Sequence, residues 1–511
     1  MTSKQMNPDG EERYATITNN ASAIRAICSA VESTLGPKGL DTMLVGPQGD
    51  VIITNDGVTI LEKMDVTHPA ARLLIQVARA QQEQVGDGTT TATVLAGALL
   101  NEGVAQVVKG VPAAKVVRGI EQAAALAVES LKRRAIAVEG LDDPLLQRTA
   151  YIAGREHGDI ARLVIEAAHI AGTDRLRDPA YCFADAVTAH EKAGNEVWPG
   201  LLLHKKPMNM QMEIDLEETP VLVLQDALEP DPVDEEALAT EAGFRQYMEH
   251  KEQFRSNLRK LAELGIGFIA ADRGVHQEAE QFFSDLGVMV LQRVSKADLQ
   301  LICEHTGARP IKRIALHKPK QELQGYFGLA KKVSYDDKLS RIRLIGGTDR
   351  PMVTMIVGAS TQEVVGERAR IAKDAASAVQ AAVRGGYLPG GGAVEIAVAR
   401  ELERYRDTVK DMEAFGVEAV IQALRKPLAQ IVLNAGFNPL EKVEQAKAAQ
   451  LVQDTDRVGI DCDTGNLMDC LEAGIVDPAL VKVHALKAAA EVAGAILRIH
   501  TVIKMRSMAE L

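Results

Sequence analysis

The sequence is poor in the residues that mark several common classes of protein. Its 511 residues include five cysteines, one tryptophan and only 4% aromatic residues. The cysteines are scattered and never form a C-x-x-C pair, so the sequence predicts neither a disulfide framework nor a zinc site. We interpret them as reduced thiols. The scarcity of aromatic rings also argues against stacking on single-stranded nucleic acid.

Positive charge and long apolar runs are lacking as well. The formal net charge is -12 and no basic run of five residues occurs, so we expect no nucleic acid partner. The polar N-terminus has no apolar signal core, and no uninterrupted apolar stretch approaches the roughly 18 residues that span a bilayer. We therefore expect no membrane association and a cytoplasmic location.

Three familiar catalytic motifs are missing. The sequence contains no G-x-x-x-x-G-K-[ST] phosphate loop, no H-E-x-x-H metal motif and no G-x-S-x-G nucleophile motif. The common classes of NTPase, metalloprotease and hydrolase therefore lose their main support.

What is present predicts a multidomain protein. The chain is two or more times a typical domain length, and 46% hydrophobic with 25% charged residues is ordinary globular composition. Residues 17–137, 416–434 and 478–505 have helical apolar spacing. Strand and helix patterns alternate through 220–224, 265–271, 276–286, 288–294 and 295–305. This order predicts an α/β domain inserted into a helical one.

Residues 234–264 stand apart within the insertion because they are strongly charged yet keep apolar residues at helical spacing. These apolar residues are Phe244, Tyr247, Met248, Phe254, Leu258 and Leu261. The pattern predicts a long amphipathic arm. An ordinary surface helix packed on its own domain is the alternative.

The strongest local motif is the run from Gly86 through Asp87 and Gly88 to Thr89, Thr90 and Thr91, followed at once by a helical pattern. Its glycines let backbone N–H groups approach a phosphate, and the helix N-terminus favours an anion. Asp87 is a candidate oxygen ligand for Mg²⁺. The alternative is a simple loop at the start of a helix.

Three further loops have weaker signals and plain alternatives. The run Thr34, Leu35, Gly36, Pro37, Lys38, Gly39 also reads as a helix stop. Asn55, Asp56 and Gly57 lie between predicted β runs at 51–54 and 58–61, as in a hairpin turn. The triplet Gly390, Gly391, Gly392 also reads as a hinge. Together the four loops predict one composite phosphate site.

Taken in order, these motifs, with Gly459-Ile460-Asp461, resemble the chaperonin family over residues 15–505. The amphipathic arm resembles the built-in lid of thermosome-type (group II) chaperonins. The resemblance implies an α+β multidomain chaperonin fold. Its equatorial ATP-binding domain would comprise 1–141 and 393–511, its hinge-like intermediate domain 142–203 and 354–392, and its apical α/β domain 204–353, with a helical protrusion at about 230–265.

The resemblance also implies a site and its chemistry. The implied cofactors are ATP and Mg²⁺, with Asp87 as the metal ligand and Asp56 and Asp374 as the catalytic carboxylates that orient water. Asp374 lies on a predicted helix, 367–383, where an isolated aspartate is usually just solvated. The implied nucleotide-binding residues are Thr34, Leu35, Gly36, Pro37, Asn55, Gly86, Gly88, Thr89, Thr90, Thr91, Gly391 and Asp477, the last on the ribose side.

One segment departs from the group II pattern. Where relatives often have a lysine near the γ-phosphate, this chain has Gly154-Arg155-Glu156-His157-Gly158. Arg155 is a candidate phosphate sensor or a partner of Glu156, and His157 is more often structural. The departure fits a divergent branch, such as the thermosome-like chaperonins of some bacteria.

The expected function is ATP-dependent folding of non-native proteins in a ring cavity closed by built-in lids, without a separate cap. By resemblance we expect identical subunits in two stacked rings of eight. One alternative is a non-catalytic ring scaffold, against which the pair Asp56 and Asp374 argues. A metabolic kinase is another, but no convergent set of polar residues predicts its substrate pocket.

Overall fold

The structure is a computed structural model that describes residues 8–47, 49–191, 193–347, 352–359 and 361–501. Within these residues eighteen α-helices are found: α1 (Pro8–Glu32), α2 (Gly57–Lys63), α3 (Pro69–Gln84), α4 (Thr89–Val108), α5 (Ala113–Arg134), α6 (Pro144–Ala153), α7 (Gly158–Ala171), α8 (Thr173–Arg177), α9 (Glu235–Leu238), α10 (Glu241–Glu263), α11 (Gln277–Asp285), α12 (Lys296–Thr306), α13 (Lys320–Gln324), α14 (Gln362–Gly385), α15 (Ala393–Arg406), α16 (Ala414–Asn434), α17 (Pro439–Gln453) and α18 (Ala479–Leu497).

The same described residues form fifteen short strands. They are β1 (Thr42–Val45), β2 (Val51–Thr54), β3 (Val187–His190), β4 (Glu196–Trp198), β5 (Leu201–Leu203), β6 (Asp215–Leu224), β7 (Phe268–Ala271), β8 (Met289–Leu291), β9 (Gly328–Asp336), β10 (Arg341–Gly346), β11 (Thr354–Gly358), β12 (Tyr387–Pro389), β13 (Val458–Ile460), β14 (Leu467–Asp469) and β15 (Val476–Pro478). Two 3-10 helices lie at Phe183–Ala186 and Arg313–His317.

The chain divides into two compact units. One comprises Met1–Ile165, Leu176–Ala184 and Arg370–Leu511, and the other comprises Glu166–Arg175 and Asp185–Ala369, as far as these segments are described. The first unit therefore takes its residues from both ends of the chain. The finer division into three domains stays a prediction.

Helix α4 is the centre of the first unit. It packs against α1, α3, α16 and α18, and its side chains are apolar around most of its circumference. Such a helix is stable only when it is enclosed. Of the described helices, α4 is the one long and apolar enough to cross a membrane, but 67% of its most apolar window is buried among its neighbours. It is the core helix of this unit.

A six-stranded mixed sheet organises the second unit, with the strand order β5-β10-β9-β6-β7-β8. Alternate residues of β6 point to opposite faces: Val221 and Val223 enter one apolar core, whereas Leu222 and Leu224 enter the other. Because both faces are covered, the central strands read as continuous apolar runs in the sequence. The predicted α/β insertion is thereby found.

The predicted arm corresponds to α9 and α10, and its two halves differ. Phe254, Leu258 and Leu261 are buried in the core on one face of the six-stranded sheet. Phe244 and Met248, one turn apart nearer the helix start, keep 57% and 47% of their surface exposed. The alternative of a packed surface helix therefore holds for the second half of α10 and not for the first.

Two sequence predictions about local structure were wrong. Residues 58–61 form no strand: they belong to α2, and β2 pairs instead with β1 upstream, matching Val51 to Val45. The apolar residues of this segment suit either structure, and the capping side chain before it decides for the helix. The last helix ends at Leu497, short of the predicted 505, and residues 502–505 lie outside the described residues.

Candidate active site

Asp56 is fixed at the start of α2 as its N-cap. Its Oδ2 accepts hydrogen bonds from the backbone N–H and the hydroxyl of Thr59, at 3.0 and 2.5 Å. Its Oδ1 accepts from the Thr89 hydroxyl at 3.2 Å, and this contact joins α2 to the first residue of α4. The cap explains why α2 begins here, and it also holds a nearly buried carboxylate beside the N-terminus of a second helix.

The loop before α4 is shaped by Gly88. This residue has φ +78°, and a Cβ at its position would lie 2.4 Å from Val481 Cγ1, so only glycine fits. The buried amide of Gln81 donates to the Asp87 carbonyl at 2.7 Å and to the Val481 carbonyl at 3.2 Å. The loop is thereby fastened to α18, and the first backbone N–H groups of α4 remain without helical acceptors, as in anion sites.

Asp87 lies in this loop with a perturbed acidity. Burial raises the pKa of its carboxyl to about 6, while the hydrogen bond from the Gly88 N–H, at 2.6 Å, acts in the opposite direction. The charges of Asp477 and Asp56 raise the pKa further, and that of Arg155 lowers it. A carboxylate that is costly to ionise is one that a cation would stabilise.

Asp374 lies on α14 and is paired with an arginine one turn earlier. Arg370 donates from Nη1 to Asp374 Oδ2 at 2.7 Å, and the same nitrogen is 4.0 Å from Asp56 Oδ1. Burial raises the pKa of Asp374 well above its ordinary value, with Asp87 and Asp56 adding to the rise and the Arg370 charge opposing it. The two predicted catalytic carboxylates therefore share one arginine.

Arg155 is the further positive charge at this cluster. Its charge opposes the upward pKa shifts of both Asp87 and Asp374. Arg155 and Glu156 both have left-handed backbone, with φ of +51° and +62°, a conformation that costs energy in residues with side chains. Of the two candidates in this segment, Arg155 is the one whose charge acts on the carboxylates.

The glycine triplet forms the turn between β12 and α15. Gly391 and Gly392 have positive φ, and a Cβ on Gly392 would meet the backbone of Leu428 at 2.8 Å. Strand β12 pairs with β15, setting Leu388 opposite Asp477. Asp477 Oδ2 lies 2.8 Å from the buried ammonium of Lys482. Its charge acts on Asp87, so the predicted ribose residue and the predicted metal ligand are brought together.

The loop after α1 is anchored separately. The Asn434 side chain donates to the carbonyls of Glu32 and Leu35, both at 2.8 Å, which ties the loop to α16. The Thr34 hydroxyl donates a hydrogen bond to the Val31 carbonyl at the end of α1, so Thr34 stabilises the loop. Gly36, with φ +87°, turns the chain into Pro37. Helix α1 ends at Glu32, directly before this loop, so the alternative of a helix stop is correct. Nucleotide binding by these residues stays a prediction.

Four side chains that build this site were not predicted from the sequence. They are Gln81, Arg370, Glu395 and Lys482. Arg370 carried a signal, because it stands four residues before Asp374 on one helix face. Gln81, Glu395 and Lys482 carried none, since each also has a partner that is distant in the sequence: Val481 for Gln81, and each other for Glu395 and Lys482.

The donors present suit Mg²⁺ held partly by phosphate. Within the described residues no group of three or more His, Cys, Asp or Glu side chains forms a complete metal site. Mg²⁺ is typically bound by one or two carboxylates together with substrate phosphates and water, so a single loop carboxylate fits. Asn55 beside Asp56 has a buried Oδ1 that lacks a hydrogen-bond partner in the described part of the chain.

The profile of the TCP-1/cpn60 chaperonin family matches residues 27–507. The chain belongs to this chaperonin family. A thermosome subunit of Methanopyrus kandleri is 32% identical over 98% of this chain and 95% of its own length. One from Methanocaldococcus jannaschii is 31% identical over 95% and 91%. A crystal structure of a group III chaperonin in the open state matches with a TM-score of 0.87 and 44% identity, covering 96% of this chain and all of that one.

The resemblance inferred from the sequence motifs is thus confirmed. The chain is a thermosome-type chaperonin subunit with the multidomain chaperonin fold, an ATPase that drives protein folding. The identity to the group III chaperonin, 44%, exceeds the 32% to the Methanopyrus subunit. The divergence predicted from residues 154–158 and a bacterial origin stay predictions.

Proposed function

We propose that this chaperonin subunit hydrolyses Mg-ATP at the cluster around Asp56, Asp87 and Asp374. The observation that carries the proposal is the convergence of these carboxylates beside the N-terminus of α4, where Thr89 contacts Asp56 directly. Asp374 lies 287 positions after Asp87 and 318 positions after Asp56 in the sequence. A packing role alone does not require like charges to be gathered in this way.

The nucleotide would bind across the glycine loops. Gly86, Gly88 and Thr89–Thr91 would hold the phosphates through backbone N–H groups and hydroxyls, and Asp87 would hold Mg²⁺. When bound, the metal would neutralise charge that develops on the phosphates. The residues from Thr34 to Pro37, with Asn55, Gly391 and Asp477, would contact the rest of the nucleotide.

Asp56 and Asp374 would orient the attacking water. In-line attack on a γ-phosphate needs a positioned water more than a strong base. Two carboxylates that accept hydrogen bonds from this water would hold it in one orientation. Arg370 would keep Asp374 from turning away, and Arg155 would supply positive charge where group II relatives often have lysine. The raised pKa of Asp374 would suit it to accept a proton during the step.

The partners would be identical subunits and non-native proteins. In the β1–β2 hairpin the cross-strand pairs Met43 with Ile53 and Val45 with Val51 are each more than half exposed. An exposed apolar hairpin of two strands has marginal stability alone, so a neighbouring subunit is a natural cover. Two stacked rings of eight subunits follow from the resemblance.

The exposed apolar residues at the start of α10, among them Phe244 and Met248, would serve lid closure or client contact. A built-in lid would make a separate cap unnecessary.

We propose a cytoplasmic location, in keeping with the absence of disulfides among the described cysteines.

The test is refolding of a chemically denatured enzyme by the purified assembly, with Mg-ATP, with ADP and with Mg²⁺ removed by EDTA. We expect recovery of client activity only with Mg-ATP, together with steady phosphate release and a particle mass of many subunits. Phosphate release without client recovery would contradict the folding function. An intact ring with neither activity would favour the scaffold alternative.

A further inference from the structure

A buried lysine lies between two carboxylates on the ribose side of the proposed site. Lys482 Nζ is 2.6 Å from Glu395 Oε1 and 2.8 Å from Asp477 Oδ2. The side chains of Lys482 and Glu395 are each only 6% exposed. The three residues come from the start of α18, the first turn of α15 and strand β15, so the cluster ties together three elements around the glycine triplet.

The charges of this cluster do not balance, because one ammonium faces two carboxylates. Burial alone would lower the pKa of Lys482, but the charges of Asp477 and Glu395 more than offset this and raise it. The second oxygen of Glu395 is buried and lacks a hydrogen-bond partner within the described residues. Buried ion pairs add little stability compared with apolar side chains of the same size. Stability alone is therefore a weak reason for such a cluster.

Asp477 differs from its two partners in being accessible. Its side chain keeps 33% of its surface exposed, and Lys482 contacts Oδ2. A Cβ on Gly390 would lie 3.2 Å from that same oxygen, so the glycine triplet closes over this side of the carboxylate. Oδ1 is left to accept a hydrogen bond from a ligand on the open side.

We propose that Lys482, itself held by Glu395, is a positioning residue that fixes the rotamer of Asp477 so that its free oxygen faces a ribose hydroxyl. The pair thereby sets the preference of the chaperonin for ribonucleotides over deoxyribonucleotides. This inference rests on the proposed contact of Asp477 with the ribose. A hydroxyl donates a stronger hydrogen bond to a carboxylate that is held in place than to one that turns.

The geometry predicts a specific pattern of losses. Deleting the hydroxyl that donates a hydrogen bond to Asp477 should weaken binding to the wild type by roughly 10- to 100-fold, the range expected for a hydrogen bond to a charged group. Removing the Lys482–Glu395 pair should weaken binding of the ribonucleotide to a similar extent and leave the deoxy analogue nearly unaffected.

The experiment is calorimetric titration of the assembled protein with ADP, 2′-deoxy-ADP and 3′-deoxy-ADP in the presence of Mg²⁺. The variants are Lys482→Met, the double variant E395L/K482M and Asp477→Asn. The double variant removes both charges of the pair, so no buried carboxylate is left without its partner. Lys447→Met is the matched control, because Lys447 forms a partly buried pair with Glu403, at 2.8 Å, in the same unit.

We expect the wild type and Lys447→Met to favour ADP over one deoxy analogue, and the other three variants to lose this preference. If the wild type shows no preference, the ribose role of Asp477 fails, and with it the present inference. If Asp477→Asn loses the preference while E395L/K482M keeps it, the inference alone is overturned. Failure of the double variant to assemble would also overturn it, in favour of a purely structural pair.

Discussion

At the scale of single residues, the site is built from carboxylates that are costly to ionise. Asp87 and Asp374 both have raised pKa values because they are partly buried near like charges. The free-energy cost of ionising these carboxyls is tolerated at a site where they are expected to contact a cation or the attacking water. Asp56 is different, because it also caps α2, and its replacement would disturb the fold as well as the chemistry.

The Asp87 carboxyl gives a prediction about stability and pH. Its pKa in the folded protein, about 6, is above the ordinary value of 3.8, so ionisation destabilises the folded state progressively between these values. Without metal, Asp87→Asn should therefore raise the melting temperature at pH 7.5 and have little effect near pH 4. Thermal unfolding in EDTA checks this, and Asp337→Asn, an exposed change, is the control. A variant less stable than the wild type at pH 7.5 would contradict it.

The buried thiols give a second prediction at this scale. Burial raises the pKa values of Cys28 and Cys470 to about 12, so neither forms thiolate near neutral pH. Alkylation of the folded protein at pH 8 should leave both unmodified, while the exposed Cys182 reacts. Mass spectrometry of peptides, with and without denaturant, measures this. Rapid labelling of Cys28 in the folded protein would contradict the packing around α4.

At the scale of elements, α18 connects the two sides of the proposed site. Its first turns carry Val481, whose carbonyl accepts a hydrogen bond from Gln81, and Lys482, which contacts Asp477. His484 contacts Gln81 Oε1 at 2.8 Å in the next turn. One helix start thereby fixes the spacing between the expected phosphates and the expected ribose.

The turn at Gly88 is the most sensitive point of this arrangement. In Gly88→Ala the new Cβ would meet Val481 Cγ1 at 2.4 Å on a left-handed backbone, so we expect a loss of roughly 1–3 kcal/mol in stability. Nucleotide affinity should fall because the N–H groups that follow would shift. Gly140→Ala is the control, since nothing lies within 4 Å of its Cβ position. Equal melting temperatures for the two variants would count against the assigned geometry.

The same elements show which parts of the structure could be predicted from sequence patterns. Helices α1, α4, α14 and α16 and the central strands of the six-stranded sheet were predicted, because their periodicity follows from burial alone. The strand predicted at 58–61 failed because a short apolar run suits either structure until a cap is counted. The site loops were predicted by glycine and hydroxyl content. Gln81 and Lys482 were not, because their roles arise only when distant elements meet.

At the scale of the whole molecule, the exposed β1–β2 hairpin suggests how subunits assemble. Its outer face carries Met43, Val45, Val51 and Ile53, while Leu44 packs on the core of its own unit. The double variant V45K/I53K should therefore fold normally but fail to form the large assembly, because two charges would be buried between subunits. Sedimentation velocity measures the assembly, and circular dichroism the fold.

The matched control for this prediction is Ile314→Lys, which changes an apolar residue of the other unit that is 75% exposed, more than Val45 or Ile53. It should leave assembly unchanged. If V45K/I53K forms assemblies of the same mass as the wild type, the hairpin does not lie in the subunit interface.

We propose that ATP hydrolysis by this chaperonin depends on Asp374. The most direct measurement is steady-state phosphate release with Mg-ATP by the wild type and Asp374→Asn, with particle mass recorded on the same samples. We expect turnover to fall by roughly 100-fold or more while the assembly stays intact, because a group that positions water is lost. Turnover within a few-fold of the wild type, in an intact assembly, would contradict it.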